Sequence, residues 1–336
     1  MSGVTWNLIG NDWAGDLLQR QMRNGTLRHA YLITGPQGVG RTRLALALAQ
    51  AILCEAPPAA GEWCGACRAC RQVPQRTYPD LHWVERAEDK QGITIDQVRE
   101  LQRLLSLSAA GRAGRVAVLQ DVEQASEGAA NALLKTLEEP APRVHLLLTA
   151  SDAEEVAPTI ASRCEVLALR PVSAEEIGAA LELSGQEPAE ARRLAEMASG
   201  RPGLALQMLA DPTLRRRRQS YADELQETLG MDLADRFARA DAWKDDEALE
   251  ERLAAWLTLL GEALRATVAG RGRAPDNGFP QFRDPDKARS AVDAVLRTQE
   301  ALRRNGNPRL ALEVLMLELP VSAGKAAERA RRTSPG

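Results

Sequence analysis

Four cysteines fall within seventeen residues as Cys54-x9-Cys64-x2-Cys67-x2-Cys70. This spacing suits four thiolates around one tetrahedral Zn2+ ion. An all-cysteine site of this kind leaves no open position for water, so it holds structure and performs no reaction. Buried free thiols are the alternative, but they would not require the two x2 intervals. Pro57, Pro58 and Gly61 fit an irregular knuckle that a metal, and not a core, would hold together.

Just upstream lies Gly35-Pro-Gln-Gly38-Val-Gly40-Arg41-Thr42. In a phosphate-binding loop, glycines let backbone N–H groups close around an anion at a helix N-terminus. A lysine then reaches the terminal phosphate and a hydroxyl meets magnesium. Gly35, Gly38 and Gly40 keep the cradle and Thr42 keeps the hydroxyl, while Arg41 stands where lysine belongs. Arginine keeps the charge, but its planar fork is a poor match for a site built around a compact ammonium. A glycine-rich turn with no ligand is the plainer alternative; a strand before and a helix after favour descent from a nucleotide site.

The acid that would hold magnesium is expected after a second apolar strand, where Val116-Ala-Val-Leu119 runs into Gln120-Asp121. Gln120 offers no carboxylate to a hard cation, leaving Asp121 or Glu123 to compensate. Changes at two separate positions agree. ATP with Mg2+ is the ligand from which the site descends, and its hydrolysis here is not expected.

These motifs need a scaffold, and the pattern supplies one. Ala30–Thr34, Val116–Leu119, Val144–Leu148 and Glu165–Leu169 are short apolar strands. Helical periodicity runs over Arg41–Leu53, Ile95–Leu105 and Ala129–Leu137, the last stopped by Pro140. Alternation of this kind predicts an α/β fold with a parallel sheet covered on both faces. The strands then stop. Ser173-Ala-Glu-Glu176 is a capping box, and Gly200-Arg-Pro-Gly203 separates two further helices. Residues 1–170 therefore read as a core domain with the knuckle at about 54–70, and 171–210 as a small helical domain. Residues 211–320 form a second all-α domain, and 321–336 a frayed tail. Within 211–320, Gly270–Asp286 reads as a weakly ordered connection, and Asn307-Pro308 opens the last helix.

A net charge of −3 announces no global basic field, so any nucleic-acid contact must come from local patches. The run Arg215–Arg218 reads as a solvated helical face more readily than as a phosphate contact. No stretch reaches the roughly 18 apolar residues of a membrane span, and no signal-peptide segment is evident, so a cytoplasmic protein is expected. Cysteines clustered at metal spacing fit a reducing compartment.

His29-Ala-Tyr-Leu-Ile-Thr-Gly-Pro36, the four cysteines, Ile95-Asp-Gln-Val-Arg99, Asn131-Ala-Leu-Leu-Lys-Thr-Leu-Glu-Glu-Pro140 and Ser162-Arg-Cys164 together resemble bacterial clamp loaders. These are the AAA+ subunits of DNA polymerase III that open the sliding clamp and set it on primed DNA. The resemblance is strong over about residues 5–210 and extends to Asn305-Gly-Asn-Pro-Arg309 and Leu312-Glu313. Within the family the pattern is most like the delta-prime type, because motor subunits keep the lysine and the acids altered here.

The resemblance implies an AAA+ core, a helical lid over 171–210 and a helical collar over 211–320. It implies a hetero-pentameric ring with gamma/tau motor subunits and delta, acting on the sliding clamp and on primer-template DNA. In the lid, a glycine of Gly200-Arg-Pro-Gly203 stands where motor subunits carry a sensor arginine. Arg163 is implied as an arginine finger offered to a neighbour's ATP. Thr94, Arg99 and Arg103, at the start of a helix, are implied as contacts to the duplex backbone. Two other readings stand beside this one. A working motor ATPase would use arginine for lysine. A zinc-dependent nucleic-acid module would use Arg68, Arg71, Arg76 and Trp63 around the knuckle.

Overall fold

The computed structural model describes residue 6 and residues 8–87, 90, 92–107, 114–268, 282, 284–304 and 306–320. Most of the expected Gly270–Asp286 connection, Asn305 and the tail beyond Pro320 lie outside the described residues. The chain divides into two compact units, residues 1–205 and 206–336.

The first unit is built on five parallel strands: β1 (Ala30–Thr34), β2 (Leu81–Val84), β3 (Arg115–Leu119), β4 (Val144–Ala150) and β5 (Glu165–Ala168). Their spatial order is β2-β3-β4-β1-β5. β1 lies in register between β4 and β5, with Leu32 opposite both Leu148 and Val166. β1 and β3 are buried along their whole length, as parallel strands covered on both faces must be. Alternation sorts their side chains. Tyr31, Ile33, Val116 and Val118 join one core with Leu44 and Leu48; Ala30, Leu32, Ala117 and Leu119 join the other with Leu101, Leu133 and Leu137.

Helices α1 (Asp12–Asn24), α2 (Arg41–Leu53) and α3 (Arg68–Gln72) contribute to the first of these cores. α4 (Ile95–Ser106), α5 (Glu127–Glu138) and α6 (Pro158–Ala161) contribute to the second. Thr94 caps α4 reciprocally: its Oγ1 accepts from the Gln97 N–H at 3.4 Å, and Gln97 Oε1 accepts from the Thr94 N–H at 2.9 Å. α7 (Ala174–Leu183) opens with the Ser173–Glu176 capping box, and α8 (Pro188–Ala198) and α9 (Pro202–Ala210) follow. β2 is a strand that the apolar pattern does not announce, because Leu81-His-Trp-Val84 has half-buried polar and aromatic residues at its centre. Among the described residues no helix is long and apolar enough to cross a membrane.

The second unit is helical: α10 (Pro212–Gly230), α11 (Leu233–Trp243), α12 (Leu249–Val268), α13 (Pro285–Arg303) and α14 (Pro308–Glu318). Asn307 caps α14 through its side chain, with Pro308 in the first turn. The core gathers Tyr221, Leu225, Leu253, Trp256, Val295, Leu312 and Met316. Arg252 lies between the rings of Trp243 and Tyr221, at 4.2 and 5.4 Å from their centroids. Its guanidinium bonds Glu224 at 2.7 Å and also Asp246.

Arg236 binds helix ends together. Buried to 3% exposure, it donates to Thr228 and Leu229 carbonyls at the end of α10, at 2.9 and 3.2 Å. It also donates to Met316, Leu319 and Pro320 carbonyls at the end of α14, at 3.1, 2.5 and 3.2 Å. These carbonyls lie at and just past the helix ends, where intrahelical donors run out, although Thr228 O also accepts from the Met231 N–H at 3.2 Å. Arg236→Ala strips their shared charged donor, and a stability loss of about 3 kcal/mol is expected. Urea unfolding followed through tryptophan fluorescence measures it.

Candidate functional site

The knuckle folds as its spacing predicts. Cys54 ends α2, Cys67 caps α3 and Cys70 lies within it. The four Sγ atoms all lie within 4.8 Å of one another. Cys54–Cys67, Cys64–Cys70 and Cys70–Cys54 are separated by 4.0, 3.8 and 3.7 Å. A tetrahedron with Zn–S bonds of about 2.3 Å has edges of about 3.8 Å, so the thiols fit the ion.

Backbone donors already face the sulfurs. The Cys64 N–H reaches Cys54 Sγ at 3.3 Å, Cys67 N–H reaches Cys64 Sγ at 3.3 Å, and Cys70 N–H reaches Cys67 Sγ at 3.4 Å. The backbone N–H groups of Ala66 and Cys67 hold the Cys64 thiol down at about 6, while burial pushes Cys70 up to about 12. A dication among them would favour the thiolate at every position. Trp63 of the knuckle meets Trp6 at 6.2 Å between centroids, and the Trp6 indole N–H donates to the Gly61 carbonyl at 3.0 Å. This aromatic brace, which spacing alone does not reveal, ties the knuckle to the N-terminal segment.

The glycine loop connects β1 to α2, at the C-terminal edge of the sheet where α/β folds bind ligands. Gly38, with φ of 83°, occupies the left-handed region that glycine adopts freely. Across β4, Asp121 follows β3. The two are joined, because Arg41 Nη2 lies 3.1 Å from Asp121 Oδ1, with the arginine side chain only 9% exposed. Glu123 is engaged through one oxygen: its Oε1 accepts from the Ser151 N–H at 2.9 Å and the Ser151 hydroxyl at 2.7 Å, while its Oε2 is buried without a partner. The Gln120 amide lies 3.4 Å from Asp121 Oδ2. The first turn of α9 closes on the loop, with the Gly203 N–H donating to the Gly38 carbonyl at 2.8 Å. A Cβ at residue 203 would stand 3.0 Å from that carbonyl oxygen, a tight contact that glycine avoids. Arg201 turns back, its Nε donating to Ala198 O at 3.1 Å.

Gln120 brings no charge to the magnesium position, and Asp121, the neighbouring acid, holds Arg41. Arg41 Nη1 and Glu123 Oε2 are buried there without a hydrogen-bond partner.

Ser162-Arg163-Cys164 sits between α6 and β5, at the N-terminal edge of the sheet. A strand of five residues separates that edge from the loop, about 16 Å away. Cys164 packs against the core beneath, and burial pushes its thiol up to about 12, so it serves as an anchor. The Ser162 hydroxyl donates to Thr159 O at 3.2 Å. Arg163 faces outward, its Nη1 on Thr159 O at 2.8 Å and its Nη2 on Glu138 Oε1 at 2.6 Å. The Glu138 contact is absent from the sequence reading. Its signal is an acid in the last turn of α5, where the helix dipole favours a base.

Thr94 Oγ1 is occupied as the α4 cap. Arg103 pairs with Glu100 at 2.6 Å, and Arg99 lies 3.8 Å from Asp96. Both arginines are exposed on one helix. Near the knuckle, Arg76 stacks on Trp83 at 3.8 Å and bonds Glu85 at 3.0 Å, while Arg68 bonds Gln72 at 3.1 Å. A basic nucleic-acid platform there would have to give up these partners.

Metal analysis of the purified chain is expected to give one zinc per molecule. Cys67→Ser is expected to lower zinc affinity at least tenfold in a competition titration with a chromophoric chelator.

Residues 10–173 match the protein family described as DNA polymerase III, delta subunit. The DNA polymerase III subunit delta' of Pseudomonas aeruginosa is 36% identical over 207 residues, covering 61% of this chain and 63% of the relative. That of Haemophilus influenzae is 37% identical over 198 residues, covering 58% and 59%. The DNA polymerase III subunit tau of Escherichia coli is 32% identical over 176 residues, covering 52% of this chain and 27% of the relative. The chain thus spans about three-fifths of the length of the curated delta' relatives. Over that stretch the chain is similar to the DNA polymerase III delta' subunits.

Proposed function

We propose that this chain is a delta'-like subunit of a DNA polymerase III clamp loader, a stator with no ATP hydrolysis of its own. It lends Arg163 to the ATP of a neighbouring gamma/tau motor subunit and helps load the sliding clamp onto primed DNA. The observation that carries this reading is the contrast between two arginines. Arg41 is buried on Asp121 inside the chain's own loop, whereas Arg163 is held at the surface by a backbone carbonyl and one exposed carboxylate. An arginine supplied in trans neutralises charge that develops on a transferring phosphoryl group. The first arginine is enclosed within the chain, and the second stands at its surface.

In this reading residues 1–170 are the AAA+ core, 171–210 the lid and 211–320 a collar. Leu310, Val314 and Leu317 form an exposed apolar stripe along α14, at the spacing of one helix face. Such a stripe supports burial against another subunit of a ring containing motor and delta subunits. Thr94, Arg99 and Arg103 would track the duplex backbone without reading bases. The chain would be a part of the polymerase holoenzyme without polymerase activity. Acting as a motor ATPase instead would require Arg41 to leave Asp121 and Glu123 to leave Ser151.

Arg163→Ala is expected to leave ring assembly intact. The ATPase of the neighbouring site should fall about a thousandfold, the scale on which arginine fingers act. Steady-state ATP hydrolysis by the reconstituted complex, with assembly checked by gel filtration, measures both. Undiminished hydrolysis would remove the assigned role.

A further inference from the structure

Arg163 does not stand idle. Its Nη2 makes a 2.6 Å ion pair with Glu138, while its Nη1 stays on the Thr159 carbonyl at 2.8 Å. The two contacts differ in kind. The carbonyl sits on α6, just before the arginine, and fixes the direction of the guanidinium. The carboxylate comes from α5 and cancels its charge. A guanidinium neutralised at this distance brings little net charge to a phosphate, so the pair must open before Arg163 can act in trans.

Glu138 also runs against the dipole of its own helix. It ends α5, where unsatisfied carbonyls and the dipole favour a cation, and Glu139 follows it. Two carboxylates at this end carry an electrostatic cost that a nearby guanidinium offsets. Neither side chain of the pair is buried, at 36% and 50% exposure, so the contact is weak enough for a competing phosphate to displace it.

From this geometry we propose that Glu138 is a positioning residue, a resting counter-ion that holds Arg163 in place and must yield it to the neighbour's triphosphate. The inference rests on the trans-acting role of Arg163 and adds a restraint on it. No covalent change is involved: one ion pair exchanges for another. Because exposed pairs contribute little, the restraint is a modest one, a few-fold in rate.

Two measurements test it. In the reconstituted complex, Glu138→Gln keeps an acceptor and removes the charge. It is expected to raise kcat for ATP two- to fivefold with KM within twofold, since the freed charge acts on the transition state. The gain should shrink as salt screens the pair, and Glu138→Ala should reproduce it. In the Arg163→Ala background, Glu138→Gln should change nothing. In the full chain alone, phenylglyoxal is expected to modify Arg163 at least twice as fast in Glu138→Gln, read by peptide mass spectrometry.

An unchanged or lowered kcat in Glu138→Gln, with Arg163→Ala still inactive, would overturn the restraint and leave the trans arginine standing. An equal gain in the Arg163→Ala background, or an unchanged modification rate, would overturn it too. Full hydrolysis by Arg163→Ala would sink both.

Discussion

The ion pair between Arg41 and Asp121 is the contact on which the functional account depends. It joins the first turn of α2 to the end of β3 across the tip of β4. Releasing Asp121 to a metal ion would leave a guanidinium with 9% exposure that only an incoming anion could neutralise. The Gly203–Gly38 hydrogen bond adds a second closure from α9. The loop has kept the backbone of a phosphate site while Arg41 Nη2 pairs with Asp121, with Arg41 Nη1 and Glu123 Oε2 buried without a partner.

Parallel strands explain how such a change is tolerated. The loop and Asp121 lie where strands end, and Ser162-Arg163-Cys164 lies where β5 begins. The sheet separates the two edges, so alterations at one need not disturb the other. Cys164 anchors its loop in the core, Thr159 orients the guanidinium, and Glu138 supplies its charge partner. The knuckle is a third, locally closed feature, with its own backbone donors and a tryptophan brace.

Features of short range were legible in the sequence. The cysteine spacing, the Thr94 and Ser173 capping boxes, the Asn307-Pro308 helix start and the bounds of α2 follow from neighbouring residues, and the structure has them as expected. β2 was not legible, because four residues with histidine and tryptophan at the centre carry no apolar alternation. Contacts between distant residues were hidden as well. Arg41 as a lysine substitute and Asp121 as a residual acid were each visible, but their pairing across eighty positions was not. Glu138 lay in view within Leu137-Glu-Glu-Pro140, without a partner until the fold supplied Arg163. In the second unit helicity was plain, yet a single arginine bonded to the carbonyl ends of α10 and α14 has no sequence signature.

The most direct measurement of the central claim is calorimetric titration of the full-length chain with Mg–ATP, alongside Arg41→Lys combined with Gln120→Asp. The account expects no saturable binding by the natural sequence, and the appearance of binding once lysine and a second carboxylate free the site. Tight, magnesium-dependent binding by the unaltered chain, with slow release of phosphate, would contradict it.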